Sequence, residues 1–160
     1  MALQDIDRRQ AIGLIGAAAA AVAITPGTAA AAAPTPPQMA MWRDPGCGCC
    51  SAWAQRVEAA FGTKLPVTDS NDMPALKTKH GVPEDLRSCH TALIGGYVIE
   101  GHVPPADIWR LIATRPAGVK GLAVPGMPMG SPGMDFAHAP NQPFKVFAFG
   151  ASRSVFAAHG

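Results

Sequence analysis

The sequence contains little charge and no run of basic residues. Charged residues make up 15% of its 160 residues, and the formal net charge is +2. Proteins that bind nucleic acid usually carry clustered lysine and arginine side chains. This balance therefore argues against nucleic acid as a partner. No internal repeat is visible along the chain.

A long apolar span is also missing. Residues 11–24 form an uncharged run after Arg8 and Arg9, but the run is shorter than the ~20 residues that cross a bilayer. A basic start, an apolar stretch and small residues up to position 33 are typical of a secretory signal peptide. The paired arginines suggest the twin-arginine route, which exports folded proteins. An uncleaved membrane anchor is the alternative.

The domain organisation follows from this leader. We expect residues 1–33 to be a signal peptide, residues 34–38 a proline-rich linker, and residues 39–160 one domain with a modest core. The hydrophobic fraction of 48% is raised by the alanines of the leader, so it does not indicate a membrane protein. Export would place the protein in the periplasm, where cysteines can be oxidised.

Cysteine is scarce but concentrated. Three of the four cysteines, Cys47, Cys49 and Cys50, fall within four positions, and Cys89 stands next to His90. Two structural disulfides fit this spacing badly, because adjacent cysteines would both need distant partners. A thiolate is a soft metal ligand and a nucleophile, so the cluster indicates metal binding or disulfide exchange. No oxyanion loop is evident, which argues against a cysteine hydrolase.

The periodicity of the chain predicts an α/β domain. In order, we expect a strand at 39–43, a helix at 50–61, a strand at 64–68, a short helix capped by Asp72, a hairpin of strands at 90–94 and 97–103, a helix between Pro104 and Pro116, an irregular segment at 118–134 and a closing hairpin of strands at 144–149 and 154–158.

This order predicts a thioredoxin-like mixed sheet with covering helices, followed by a glycine-, proline- and methionine-rich loop and a C-terminal hairpin. The first strand–helix–strand unit predicts a parallel pair of strands. The hairpin about Gly95 and Gly96 predicts an antiparallel pair. Cys50 would lie in the first turn of the first helix, where free amide groups and the helix dipole favour a thiolate.

The number of sulfurs bears on the kind of site. Cys47 and Cys50 have C-x-x-C spacing, and Cys49 adds a third sulfur, which is more than a redox pair needs. A structural zinc site would require four closed ligands, and Cys89 or His90 would be able to complete one. Metal binding is therefore favoured over redox exchange alone, and zinc is one of the candidate metals.

The methionines and histidines bear on the choice of metal. Met127, Met129 and Met134 lie in the irregular segment, which we expect to fold back near the cysteines. Thioether sulfur suits Cu(I) and contributes little to zinc sites, so these methionines favour copper. His90 is the best imidazole candidate because it follows Cys89 directly. His102 ends a strand, where its imidazole would either make a structural hydrogen bond or bind a metal.

Four motifs occur in order along the chain: CGCC at 47–50, CHTA at 89–92, GYVIEGHVP at 96–104 and GLAVPGMP at 121–128. Together they resemble the domain of unknown function 411 family, which includes the CopG-type periplasmic copper-resistance proteins. The resemblance runs from about residue 39 to residue 156. It implies a thioredoxin-like fold and copper bound by the cysteine motif together with the Cys-His pair. Matching the motifs residue by residue assigns this copper-binding role to Cys47, Cys49, Cys50 and Cys89.

Three hypotheses follow. The first is an exported protein that binds one or more Cu(I) ions and lowers free copper in the cell envelope. Its partners would be copper ions and other periplasmic copper proteins, with membrane contact only through an uncleaved leader. The second is a thiol–disulfide oxidoreductase in which Cys47 attacks and Cys50 resolves. The third is a structural zinc module. The predicted metal ligands are Cys47, Cys49, Cys50, Cys89, His90 and Met127.

Overall fold

A computed structural model describes residues 36–160, so the predicted leader and the first two residues of the predicted linker lie outside the described residues. The described elements are β1 (Met39–Arg43), α1 (Gly48–Phe61), β2 (Val67–Asp69), α2 (Met73–Lys79), a 3-10 turn (Glu84–Leu86), β3 (His90–Ile94), β4 (Tyr97–Glu100), α3 (Pro105–Thr114), β5 (Val119–Ala123), β6 (Phe144–Gly150) and β7 (Ser154–His159).

The first two helices have the ends that the sequence indicates. Cys47 is the N-cap of α1, and Gly62 closes the helix in the left-handed region at φ 64°, where glycine is not strained. Asp72 caps α2 because its carboxylate accepts a hydrogen bond from the Ala75 N–H at 3.1 Å. Only the start of α1 differs, by two residues, which is within ordinary variation of helix bounds.

Within residues 36–160, the seven strands form one mixed sheet in the order β2-β1-β3-β4-β5-β6-β7. Strands β1 and β2 are parallel, as the strand–helix–strand pattern predicts. The pairs β1–β3, β3–β4, β5–β6 and β6–β7 are antiparallel, and β4–β5 is parallel. The α/β class with a mixed sheet and the C-terminal hairpin are therefore confirmed, while the thioredoxin-like assignment stays a prediction.

The sequence predicted an irregular segment from residue 118, but the first part of that stretch is a strand. Residues Val119–Ala123 form β5 in the middle of the sheet, parallel to β4. The strand carries no alternation because Gly121, Leu122 and Ala123 are all buried, so both of its faces are covered. A Cβ on Gly121 would lie 2.0 Å from the Val98 carbonyl oxygen. Glycine therefore permits a close approach between strands at a position where it would otherwise signal a loop.

Helices α1 and α3 contact each other over one face of the sheet, where Phe61 and Trp109 stack with ring centroids 4.4 Å apart. The inward face of α1 itself carries Trp53 and Val57, both fully buried, and Phe61, which is nearly so. The opposite face is covered by the chain around α2 and the 3-10 turn, with Val82 and Leu86 in its core. Within residues 36–160, no helix has the combined length and apolarity that crossing a bilayer requires.

Candidate metal centre

The cysteine motif lies where β1 turns into α1. Asp44, Pro45 and Gly46 form the turn, and Gly46 takes a positive φ of 74°, which glycine adopts without strain. The Arg43 guanidinium donates a hydrogen bond to the Cys47 carbonyl at 3.0 Å and so holds the loop to the end of the strand. This geometry fixes Cys47 at the helix N-cap, with the other two motif cysteines in the first turn.

Cys47 and Cys50 form a disulfide, with their Cα atoms 5.3 Å apart. Cys49 and Cys89 are the free cysteines among the described residues. This arrangement agrees with the sequence argument against two structural disulfides. It also means that two of the four sulfurs are oxidised in this form of the protein.

Cys89 lies beside the motif although it is distant in sequence. It immediately precedes β3, which pairs with β1 so that His90 stands opposite Arg43. The four cysteine sulfurs lie within 4.8 Å of one another. Two thiolates bound to one ion at about 2.3 Å each can be no more than about 4.6 Å apart, so this spacing is close to that of a shared metal site. The four cysteines therefore lie together, as the resemblance implies. Their role as metal ligands stays a prediction.

Two histidines extend the cluster. The Cys89 sulfur lies 3.3 Å from His90 Nδ1 and 3.0 Å from His102 Nε2. These three side chains also form a group whose ligand atoms lie within 4.8 Å of one another. Cys89 thus belongs to both groups, the four sulfurs and the sulfur with two imidazoles.

The hydrogen bonds fix the tautomer of His102. Its Nδ1 lies 2.9 Å from the Pro132 carbonyl, which can only accept, so Nδ1 carries the proton. The lone pair of Nε2 therefore faces the Cys89 sulfur. His90 is fully buried, packs against the Trp53 ring with centroids 4.4 Å apart, and has no hydrogen-bond partner for Nε2. A hydrogen bond thus orients His102 with Nε2 toward the Cys89 sulfur, and packing holds His90 with Nδ1 toward the same sulfur.

Burial sets the protonation states of these groups. It lowers the pKa of His90 well below the usual value and lowers the pKa of His102 as well, so both imidazoles are neutral at pH 7. Burial also raises the pKa of the Cys89 thiol to about 12, with a contribution from nearby Cys49. In the metal-free protein Cys89 is therefore a thiol that donates to His102 Nε2. A metal ion would displace this proton.

We expect alkylation of Cys89 in the metal-free, disulfide-intact protein to be slow at neutral pH. Folding raises the pKa of this thiol from 9.0 to about 12, so the folded state favours the protonated form, and only the thiolate reacts. The rate should rise about tenfold per pH unit up to about pH 11. Mass spectrometry after timed iodoacetamide treatment measures it. A rate that levels off near pH 9, as for an unfolded chain, would contradict this assignment.

Residues 124–134, which we call the overlying segment, fold back onto the centre as predicted. Pro132 supplies the carbonyl that binds His102. Gly133 takes φ +88°, and a Cβ on it would lie 2.8 Å from the Cys49 carbonyl oxygen and 2.9 Å from the Trp53 nitrogen. The Ser88 hydroxyl also donates to the Gly126 carbonyl, beside Cys89. The backbone of the segment therefore packs directly against the cysteine helix.

The predicted site residues divide into two groups. The four cysteines and His90 meet at one place, and the structure adds His102, whose ligand role the sequence left open. The sequence signal for His102 was its position at the end of a strand in the EGHVP motif. Met127 is 51% exposed, and the contacts described between its segment and the centre involve Gly126, Pro132 and Gly133. Ligation by Met127 stays a prediction.

Comparison with known proteins agrees with this picture. The family described as "Protein of unknown function, DUF411" matches residues 86–134. No curated protein matches the chain. A solved structure described as "Copper resistance protein copG- Form 1" is 39% identical, with a TM-score of 0.71, and the match covers 78% of this chain and 98% of that one.

A second solved structure, "Copper resistance protein copG- Form 2", is also 39% identical, with a TM-score of 0.72 and coverage of 79% of this chain and 100% of that one. Identity at this level over nearly the whole length of the relatives exceeds what a shared fold alone produces. The chain therefore belongs to the DUF411/CopG-like family.

Proposed function

We propose that the protein binds copper as Cu(I) at the four-cysteine centre and so handles copper in resistance or homeostasis. The observation that carries this proposal is the convergence of four sulfurs within 4.8 Å of one another. Soft thiolate ligands suit Cu(I), as they also suit zinc. The copper-resistance description of both solved relatives supports the choice of copper.

The proposed ligands are the four cysteines, with His90 and His102 as nitrogen ligands and Met127 as a weak thioether ligand. Cys89 is shared by the sulfur group and the imidazole group, and a thiolate has lone pairs for two metals. We therefore expect more than one copper ion per chain. A single closed zinc site would use four of these six cysteine and histidine ligands and leave the others without a metal.

A second candidate function has its own supporting observation. The disulfide between Cys47 and Cys50 lies at the start of α1, where a thiolate formed on reduction would be stabilised by free amide groups. Exchange with a dithiol would reduce this disulfide to two thiols and oxidise the dithiol to its own disulfide. The protein would then act as a thiol–disulfide oxidoreductase. The two functions are compatible, because reduction of this pair also frees two copper ligands.

We further propose that the protein acts in the periplasm after removal of a leader at residues 1–33. The charge pattern of that stretch supports export. An oxidising compartment also accounts for a disulfide in the chain. Cell fractionation followed by mass spectrometry of the mature N-terminus tests this part of the proposal, and a cytoplasmic full-length chain would contradict it.

Counting metal and free thiols on protein isolated from the cell envelope of copper-grown cells separates the candidate functions. Several coppers per chain would support copper binding. A metal-free protein with the Cys47–Cys50 disulfide that cycles with a dithiol would support the oxidoreductase. One tightly held zinc would support a structural site, and the copper proposal would then fail.

We expect simultaneous leucine replacement of Met127, Met129 and Met134 to weaken Cu(I) binding measurably, up to about tenfold, the lower end of the cost of perturbing a metal site. Leucine preserves bulk and removes the thioether, and the half-exposed Met127 would be a peripheral ligand beside four thiolates. Competition with a Cu(I) chelator measures the affinity. An unchanged affinity with faster thiol oxidation would show that the methionines only shield the cysteines.

A further inference from the structure

A buried ion pair lies directly behind the centre and is not explained by the ligand set. Lys77 on α2 and Glu100 at the end of β4 are joined at 2.6 Å, and their side chains are 6% and 0% exposed. Burying two charges is expensive, and such a pair is often no more stabilising than apolar residues of the same size. Its presence therefore calls for a reason beyond stability.

The Glu100 carboxylate binds the residues on both sides of the Cys89-His90 pair. One oxygen accepts the Ser88 N–H at 2.6 Å, as well as the Lys77 ammonium. The other oxygen accepts the Thr91 hydroxyl at 2.6 Å. Lys77 also donates to the Thr91 hydroxyl at 3.1 Å. Residues 88 and 91 thus have polar groups bound to one carboxylate, and the two candidate ligands stand between them.

We propose that Lys77 and Glu100 are a positioning pair that holds Cys89 and His90 in the geometry required for metal binding. The role of the pair in copper affinity rests on the proposed function, whereas the positioning itself does not. Hydrogen bonds at 88 and 91 leave the intervening backbone little freedom. The Cys89 sulfur is thereby kept near His102 and the motif cysteines. Loss of the carboxylate would loosen the segment without removing any ligand.

The test compares Glu100→Gln with Asp107→Asn. Gln keeps the shape of the side chain and removes its charge. Asp107 is also a buried carboxylate, 5% exposed, but it binds Arg110 at 2.9 Å and His159 at 2.7 Å rather than a residue of the centre. Both variants neutralise a buried carboxylate, although the partners of Asp107 are partly exposed, Arg110 at 49% and His159 at 36%. The control therefore corrects for the general cost of removing a buried negative charge. Thermal unfolding gives that loss for each variant.

We expect Glu100→Gln to reduce Cu(I) affinity by about tenfold, the lower end of the range for residues that orient metal ligands. It should also accelerate alkylation of Cys89 in the metal-free protein by several-fold relative to Cys49. Asp107→Asn should change neither quantity. If Glu100→Gln does not fold, Thr91→Val removes one hydrogen bond to the carboxylate and should act in the same direction with a smaller effect.

A double variant distinguishes positioning from stability. Lys77→Met combined with Glu100→Gln leaves no unpaired charge in the core and should recover most of the lost stability. We expect the copper and alkylation defects to persist in it. The positioning role would be overturned if the double variant regained both the wild-type copper affinity and the wild-type alkylation rate. It would also be overturned if Glu100→Gln changed the alkylation of Cys89 no more than Asp107→Asn does. A wild-type protein that binds no copper, with alkylation still altered by Glu100→Gln, would instead refute only the proposed function.

Discussion

Replacing Cys47 by serine is expected to lower the affinity for Cu(I) by roughly 100-fold or more, because loss of a residue that merely orients a ligand already costs 10–100-fold. The serine hydroxyl is similar in size to a thiol but stays protonated at neutral pH, so it is a poor ligand for a soft metal. Cys47 is half-buried at the N-cap of α1, and the fold should therefore tolerate the change. Chelator competition under reducing conditions measures the affinity.

The matched control for this variant is Met73→Leu, which removes a buried sulfur on α2. It should leave copper binding intact. Cys50→Ser should lose copper like Cys47→Ser, with a larger effect on stability because Cys50 is fully buried in the core. Full copper content in both serine variants would refute the thiolate centre. Unfolding of both in the absence of metal would mean that the motif is structural.

Gly133→Ala is expected to lift the overlying segment from the centre, with faster oxidation of Cys49 and Cys89 and faster loss of copper. The added methyl group would lie 2.8 Å from the Cys49 carbonyl oxygen and 2.9 Å from the Trp53 nitrogen. Both atoms belong to the backbone of α1, so a side-chain movement cannot relieve the contact. We expect a stability loss of about 2–5 kcal/mol from overpacking and the positive φ together.

Gly126→Ala separates these two contributions. Gly126 also has a positive φ, +66°, but a Cβ there would meet nothing within 4 Å. This control carries the conformational cost of about 1–2 kcal/mol without the steric contact. Its thiols should oxidise at the wild-type rate in a free-thiol assay. Equal oxidation rates in the two variants would mean that the overlying segment does not shield the cysteines.

The sequence predicted the fold where local signals and tertiary packing agree. The cap at Asp72, the glycine after Phe61 and the turn at Gly95 each act through backbone geometry that a short stretch specifies. The prediction failed at Val119–Ala123, because the strand character of that stretch comes from its neighbours on both sides. No local pattern marks a strand that contains a glycine and is buried on both faces.

In the candidate site, too, the sequence predicted what its motifs specify and missed what depends on tertiary packing. The family resemblance implies a site that joins Cys89 to the cysteine motif, and the structure places their sulfurs together. The contacts of Pro132 and Gly133 depend on how the overlying segment folds, which its composition does not determine. The link from Lys77 to Glu100 joins residues 23 positions apart through a buried contact. A charged residue at the end of the apolar YVIE strand was the one sequence signal for it.

The most direct test is a Cu(I) titration of the fully reduced protein beside the same protein with the Cys47–Cys50 disulfide intact, followed by copper X-ray absorption. We predict that the reduced form binds more than one Cu(I) per chain, with a coordination shell dominated by sulfur. The disulfide form should bind fewer ions and bind them more weakly, because two ligands are removed. Equal binding by both forms, or a shell without sulfur, would contradict copper binding at the four-cysteine centre.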